Sequence, residues 1–162
     1  MSYHVAPAPF ATFYSLQTQT IANKGNAQAI TYNITGAQKG ITLVDSTKIT
    51  LPQVGNYCLT FSAIGLDSAS NSGNNLSIWL RKNGSDVDNS NTIVLVKKSS
   101  PTTVVATVDI TCTAVGQYYE LYMAGQDTTV QLAATPAQVA VPGVSPAQPA
   151  CPSVIVAIWQ IN

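Results

Sequence analysis

The sequence predicts an all-β protein, a sandwich or barrel of short antiparallel strands. Three observations carry this reading. Apolar and polar residues alternate at period two in segment after segment, the pattern of a strand with one face on a core. The same segments are rich in β-branched and aromatic residues, which suit a pleated, half-buried surface. The breaks between them carry Gly, Asn, Ser and Pro, and no run shows the 3.6-residue spacing of an amphipathic helix.

In chain order the strands are expected at residues 10–16, 29–34, 48–51, 56–64, 76–81, 92–97, 103–113, 117–123, 128–133 and 153–161. Short strands with no helix between them favour a two-layer β architecture. In 56–64, Tyr57, Leu59, Phe61 and Ala63 share the side expected to face the core, leaving Cys58, Thr60, Ser62 and Ile64 outward. Leu76, Ile78 and Leu80 likewise oppose Ser77, Trp79 and Arg81. In 117–123, Tyr118 and Tyr122 stand opposite Tyr119, Leu121 and Met123, so this strand carries aromatics on both faces. A second buried surface is therefore expected, a subunit interface taking in Cys58, Thr60, Trp79, Tyr118, Tyr122 and Trp159.

Turn chemistry separates the strands. Asn83-Gly84 tolerates positive φ and is expected to turn a hairpin, while Lys39-Gly40, Val54-Gly55 and Val115-Gly116 each place a glycine just before a strand. Residues 67–75 are rich in Ser, Asn and Gly, and 135–152 contain five prolines. Both are expected to be loops, and the second cannot be a central strand.

At 162 residues the chain fits one domain, expected at 10–162 behind an N-terminal arm at 1–9. A domain of this size buries about 70% of the surface its unfolded chain exposes, enough for a core without staples. Charged residues make up 9% of the chain, and seven Lys/Arg balance seven Asp/Glu. With no net charge there is no long-range field to hold phosphates, so nucleic acid is not an expected partner. A neutral surface also favours self-association. No segment has the apolar length of a membrane helix and the N-terminus lacks a signal-peptide pattern, so a chain made and folded in a cytoplasm is expected. Cys58, Cys112 and Cys151 are widely spaced and read as buried thiols, not a disulfide framework.

Catalysis finds little material. His4 is the one histidine and lies in the arm, away from any nucleophile, and Glu120 and Asp109 fall in strands with no evident carboxylate partner. Residues 83–91 are rich in oxygen ligands, and Asp86, Asp88 and Asn89 are calcium-ligand types. The spacing and distal Glu of an EF-hand are absent, so a solvated turn is expected. Asn33, Asn75 and Asn83 begin glycosylation sequons that a chain without a secretion signal is not expected to use. The expectation is a non-enzymatic protein with no catalytic residue, metal or cofactor.

The order of four landmarks resembles the jelly-roll family of tumour necrosis factor and the globular head of the first complement component, with phage and spore-surface relatives. Gly55, Tyr57, Leu59 and Phe61 match the opening of a family strand, and Asn83-Gly84 the turn that ends a later one. Gly116 matches a Gly-Asp landmark in which Gln117 replaces the Asp, and the last strand closes near the C-terminus. The likeness covers about residues 10–161. It implies a two-sheet antiparallel jelly-roll sandwich that forms a homotrimer through one sheet. No stalk-like heptads or Gly-X-Y repeats precede the first strand, so the function expected is that of a bacteriophage capsid decoration or cement protein. It would assemble in the host cytoplasm and sit on the virion surface. Its partner would be the major capsid protein or another virion protein, met by an arm containing Tyr3, His4, Val5 and Phe10. The alternatives are a receptor- or glycan-binding tail-fibre tip, reading through 67–75 and 135–152, and a bacterial surface or spore-coat module.

Overall fold

The computed structural model describes residues 8–142 and 145–161. Tyr3, His4 and Val5 of the expected arm lie outside them. The strands are β1 (Phe10–Ser15), β2 (Gln19–Thr20), β3 (Gln28–Ala29), β4 (Ile34–Lys39), β5 (Thr42–Val44), β6 (Lys48–Thr50) and β7 (Gly55–Asp67). They continue with β8 (Asn74–Lys82), β9 (Ser85–Asp86), β10 (Thr92–Val96), β11 (Thr102–Cys112), β12 (Tyr118–Gly125), β13 (Val130–Leu132) and β14 (Val154–Gln160). No helix occurs among the described residues.

These strands make two antiparallel sheets. In the first, β7 is central: β11 lines one edge, β14 and then β13 pair with the other, and β1 and β4 extend the sheet beyond β14. The second runs β10-β8-β12-β6-β5, with β3 on β12 and β9 on β8. Tyr57, Leu59, Phe61 and Ala63 of the first sheet and Leu76, Ile78, Leu80, Leu121 and Met123 of the second are buried in one shared core, as their alternation predicts. The long β7 continues past the expected end at Ile64 because β13 pairs with its last residues. Gly65 lies there with no room for a side chain: a Cβ would come within 2.7 Å of Leu76 and Val96, where the sheets converge.

One expected strand is corrected. Residues 29–34 do not form a single element: β3 ends in the second sheet and β4 begins in the first, and the chain crosses between them. Buried Ile30 and Tyr32 keep the alternation through the crossing. Ile30 and Tyr32 keep backbone partners, donating their N–H groups to the Leu121 and Ser46 carbonyls at 2.8 Å. Between them Thr31 is held by a side chain: the Gln19 amide donates to its carbonyl at 2.9 Å and the Gln19 oxygen accepts its N–H at 2.8 Å. Asn83 and Gly84 both have positive φ, +48° and +84°, and join β8 to β9 as expected.

The proline-rich segment is more ordered than a plain loop. Thr135 and Cys151 exchange both backbone hydrogen bonds, as do Gln138 and Gln148, and Val141 and Ser145. The reciprocal pairs recur every third residue on each side, whereas an ordinary antiparallel ladder repeats every second. Pro136, Pro146 and Pro149 lie between the pairs, Pro142 follows the last pair at the tip and Pro152 follows Cys151, so none removes a paired donor. The ribbon is exposed along most of its length, and Cys151 is exposed with it, against the expectation of three buried thiols.

Candidate functional site

The residues expected in one interface are divided by the fold between two surfaces. Cys58, Thr60 and Trp159 point outward from the first sheet, and Trp79, Tyr118 and Tyr122 outward from the second. Alternation gives the face of a strand that leaves the core, but not the sheet to which the strand belongs.

Across β1, β4, β7, β11 and β14 the outer face of the first sheet carries two charged side chains, Asp109 and, at the far edge opposite Phe10, Lys39. Phe10 is 40% exposed, Val105 63%, Ile155 39% and Trp159 38%. A hollow of about 140 Å³ lies among Thr60, Phe61, Ser62, Val105, Ile155 and Ala157, where small side chains leave the sheet thin between two aliphatic ones. Trp159 and Asp109 are the cross-strand neighbours of Cys58. Burial, then the charge of Asp109 and a hydrogen bond to it, push the Cys58 thiol up and keep it protonated. A protonated thiol is a poor nucleophile, so this cysteine is packing material.

The outer face of the second sheet is polar and aromatic. The Trp79 indole N–H donates to Asp86 at 2.7 Å, and the same carboxylate oxygen lies 2.9 Å from Arg81 Nε. The Arg81 guanidinium sits 4.5 Å over the Tyr122 ring, which packs tilted against Trp79 at 6.1 Å. Glu120 is buried, cross-strand from Arg81, and accepts the Thr47 hydroxyl at 2.7 Å. Tyr118 lies under the Lys48 ammonium at 5.6 Å. Beside Trp79 a groove of about 440 Å³ is lined by Ser77, Trp79, Asp86, Val87, Asp88, Asn89, Asn91 and Ala124. The carboxylate of Asp86 is engaged by Trp79 and Arg81, and among the described residues no three His, Cys, Asp or Glu gather to hold a metal ion. In the sequence Trp79 and residues 83–91 stand apart, and no local pattern marks the groove between them.

No protein-family model matches the chain, and neither does any curated protein sequence. Solved structures do. The globular domain of the zebrafish complement 1qA protein superposes with a TM-score of 0.62 over 96% of this chain and 98% of that one, at 13% identity. The chain thus has the jelly-roll fold of complement globular domains. At that identity the likeness concerns fold, and function must be argued from the surfaces.

Proposed function

We propose that this chain is a non-catalytic assembly module that trimerises through the outer face of its first sheet and, as a trimer, decorates the head shell of a bacteriophage. The observation that carries the reading is the near absence of charge from that face. Depletion of charge with aromatic enrichment marks the core of subunit interfaces, and Trp159, Ile155 and Val105 supply the apolar anchors. The hollow between Val105 and Ile155 offers a socket for a side chain of the next subunit. A closed trimer of this kind fits the three-fold positions of a symmetric shell directly. Phe10 opens β1 on the same sheet face and adds a further apolar side chain to it. The neutral composition supports a protein that works by packing and not by electrostatic capture.

Light scattering tests the assembly. A mass about three times the 17.0 kDa of one chain is expected. Val105→Glu and Ile155→Glu should reduce it to the monomer while circular dichroism stays unchanged, since both side chains already lie outside the core. A wild-type monomer at every concentration up to about 100 μM, where even weak specific assembly would appear, would refute the trimer. Co-sedimentation with purified phage heads tests the rest: full-length trimer should pellet with the heads, and deletion of residues 2–9 should abolish this. Unchanged binding by the deletion variant would remove the arm from the mechanism.

A further inference from the structure

The groove on the second sheet faces away from the proposed trimer surface, and its parts differ in how firmly they are held. Its floor is Ser77 and Ala124, cross-strand partners whose small side chains let the surface dip. Trp79 forms one wall. Its indole is fixed in position by the hydrogen bond to Asp86 and by the Tyr122 ring. Residues 86–91 form the other wall. Buried Ser90 clamps it, donating to the Val87 carbonyl at 2.7 Å and accepting the Leu80 N–H at 3.0 Å. Asn89 holds a positive φ of +60° in the same turn, a conformation that Asn tolerates better than most residues.

Against this rigid frame, three polar side chains are uncommitted. Asp88, Asn89 and Asn91 are exposed and make no side-chain hydrogen bond among the described residues. The groove thus combines a fixed aromatic plate, a free carboxylate, two free amides and a volume within the roughly 300–1,000 Å³ of small-molecule sites.

We propose that this groove binds a neutral saccharide, one or two hexose units in size. A hexose has an apolar C–H face and a rim of hydroxyls that both donate and accept. The indole suits the first. Carboxylate and amide heads suit the second, because Asp accepts and Asn does both. Other ligand classes match less well. No Lys or Arg lines the groove while Asp86 and Asp88 do, so an anion would meet repulsion. A wholly apolar ligand would strip water from three polar heads and return no hydrogen bond. A divalent cation would find Asp86 already engaged by Trp79 and Arg81. This inference stands independently of trimerisation and of the phage setting, since every lining residue comes from the second sheet and its adjoining turn.

The test uses the full chain. It is applied to an array of neutral and sialylated oligosaccharides, then titrated by saturation-transfer NMR with the methyl glycosides of glucose, galactose, mannose and N-acetylglucosamine. Saturable binding of at least one neutral glycan is expected, with transfer to its ring protons and no change on adding EDTA. Trp79→Ala should abolish it. Because that variant also loses the Asp86 contact, Asp88→Ala and Asn91→Ala serve as controls that leave the fold intact, each expected to weaken binding about tenfold for the loss of one good hydrogen bond. Four results would each overturn the proposal: no neutral glycan bound, sialylated glycans bound alone, binding that requires a divalent cation, or binding unchanged in both Asp88→Ala and Asn91→Ala. Loss of the trimer in Val105→Glu should leave saccharide binding in place, which separates the two proposals.

Discussion

Asp67 ends β7 fully buried, and its carboxylate organises the connection to β8. One oxygen accepts the N–H groups of Ala69 and Ser70 at 2.8 and 2.7 Å, and the other accepts the Asn74 amide at 2.6 Å. Burial pushes the carboxyl up, but the Ser70 and Ala69 N–H groups, the Asn74 amide and the Thr129 hydroxyl together outweigh it, and the pKa falls from 3.8 to about 2. The sign follows from proton binding. Between pH 4 and 2 the unfolded chain holds a proton that the native state does not, so stability from Asp67 is complete above about pH 4 and is lost as pH falls through 2. The gap corresponds to roughly 2 kcal/mol at most, since it is the difference between a burial penalty and several hydrogen bonds that oppose it. Asp67→Asn keeps the shape and one carbonyl acceptor, but turns an NH₂ group toward the NH₂ of Asn74. Urea unfolding across pH should show the variant about 1–2 kcal/mol less stable at pH 7, with the difference shrinking toward zero at pH 2. An equal deficit at both pH values, or none at pH 7, would refute the charge-based account.

Three further outcomes can be measured in the same way. Gly125→Ala should cost about 1–3 kcal/mol in urea unfolding, because the added Cβ would stand 2.9 Å from the Asp127 carbonyl and the Val130 Cβ, neither of which can swing aside. Ser90→Ala should cost about 1–2 kcal/mol and speed amide exchange at Leu80, whose N–H the hydroxyl accepts; unchanged exchange there would mean that the groove wall is held by something else. Burial, then the charge of Glu120, pushes the Tyr32 hydroxyl far above its usual range, and it has no hydrogen-bond partner among the described residues. Tyr32→Phe should therefore be neutral or stabilising by up to ~1 kcal/mol, and a loss above ~1.5 kcal/mol would reveal a bond to that hydroxyl.

What the sequence disclosed follows from how each element is stabilised. Residues 56–64 and 76–81 were legible because β7 and β8 bury one complete face, so Tyr57, Leu59, Phe61, Leu76, Ile78 and Leu80 repeat at period two without interruption. The strands β2 and β9 are two residues long, too short for a period to register. The crossing at 30–33 looks like strand in the sequence because Ile30 and Tyr32 alternate correctly, while the side chain that holds Thr31 between them, Gln19, lies 12 positions away. The groove was hidden for a similar reason. Its wall depends on Ser90 reaching Leu80, a contact that no local pattern encodes. The juxtaposition of an outward Trp79 with an Asn-Gly turn leading into Asp- and Asn-rich chain was the available signal.

The proline-rich ribbon at 135–151 has a bearing on how this protein could change over time. An exposed, uncharged hairpin carrying Val139 at 82% exposure would ordinarily invite a stray strand to pair along its edge. Here the paired donors all point inward, and Pro136, Pro146 and Pro149 leave fewer outward ones. A foreign strand offering hydrogen bonds at every second residue would fall out of step with an edge that repeats at every third. The same arithmetic sets a rule for insertions and deletions. Removing or adding equal numbers of residues on the two sides keeps the remaining residues opposite one another, and doing so in threes also keeps the rhythm of the pairs, while an unequal change shifts the register from that point to the tip. The reach of the ribbon is thus adjustable in fixed steps, without disturbing the strands β13 and β14 that carry it.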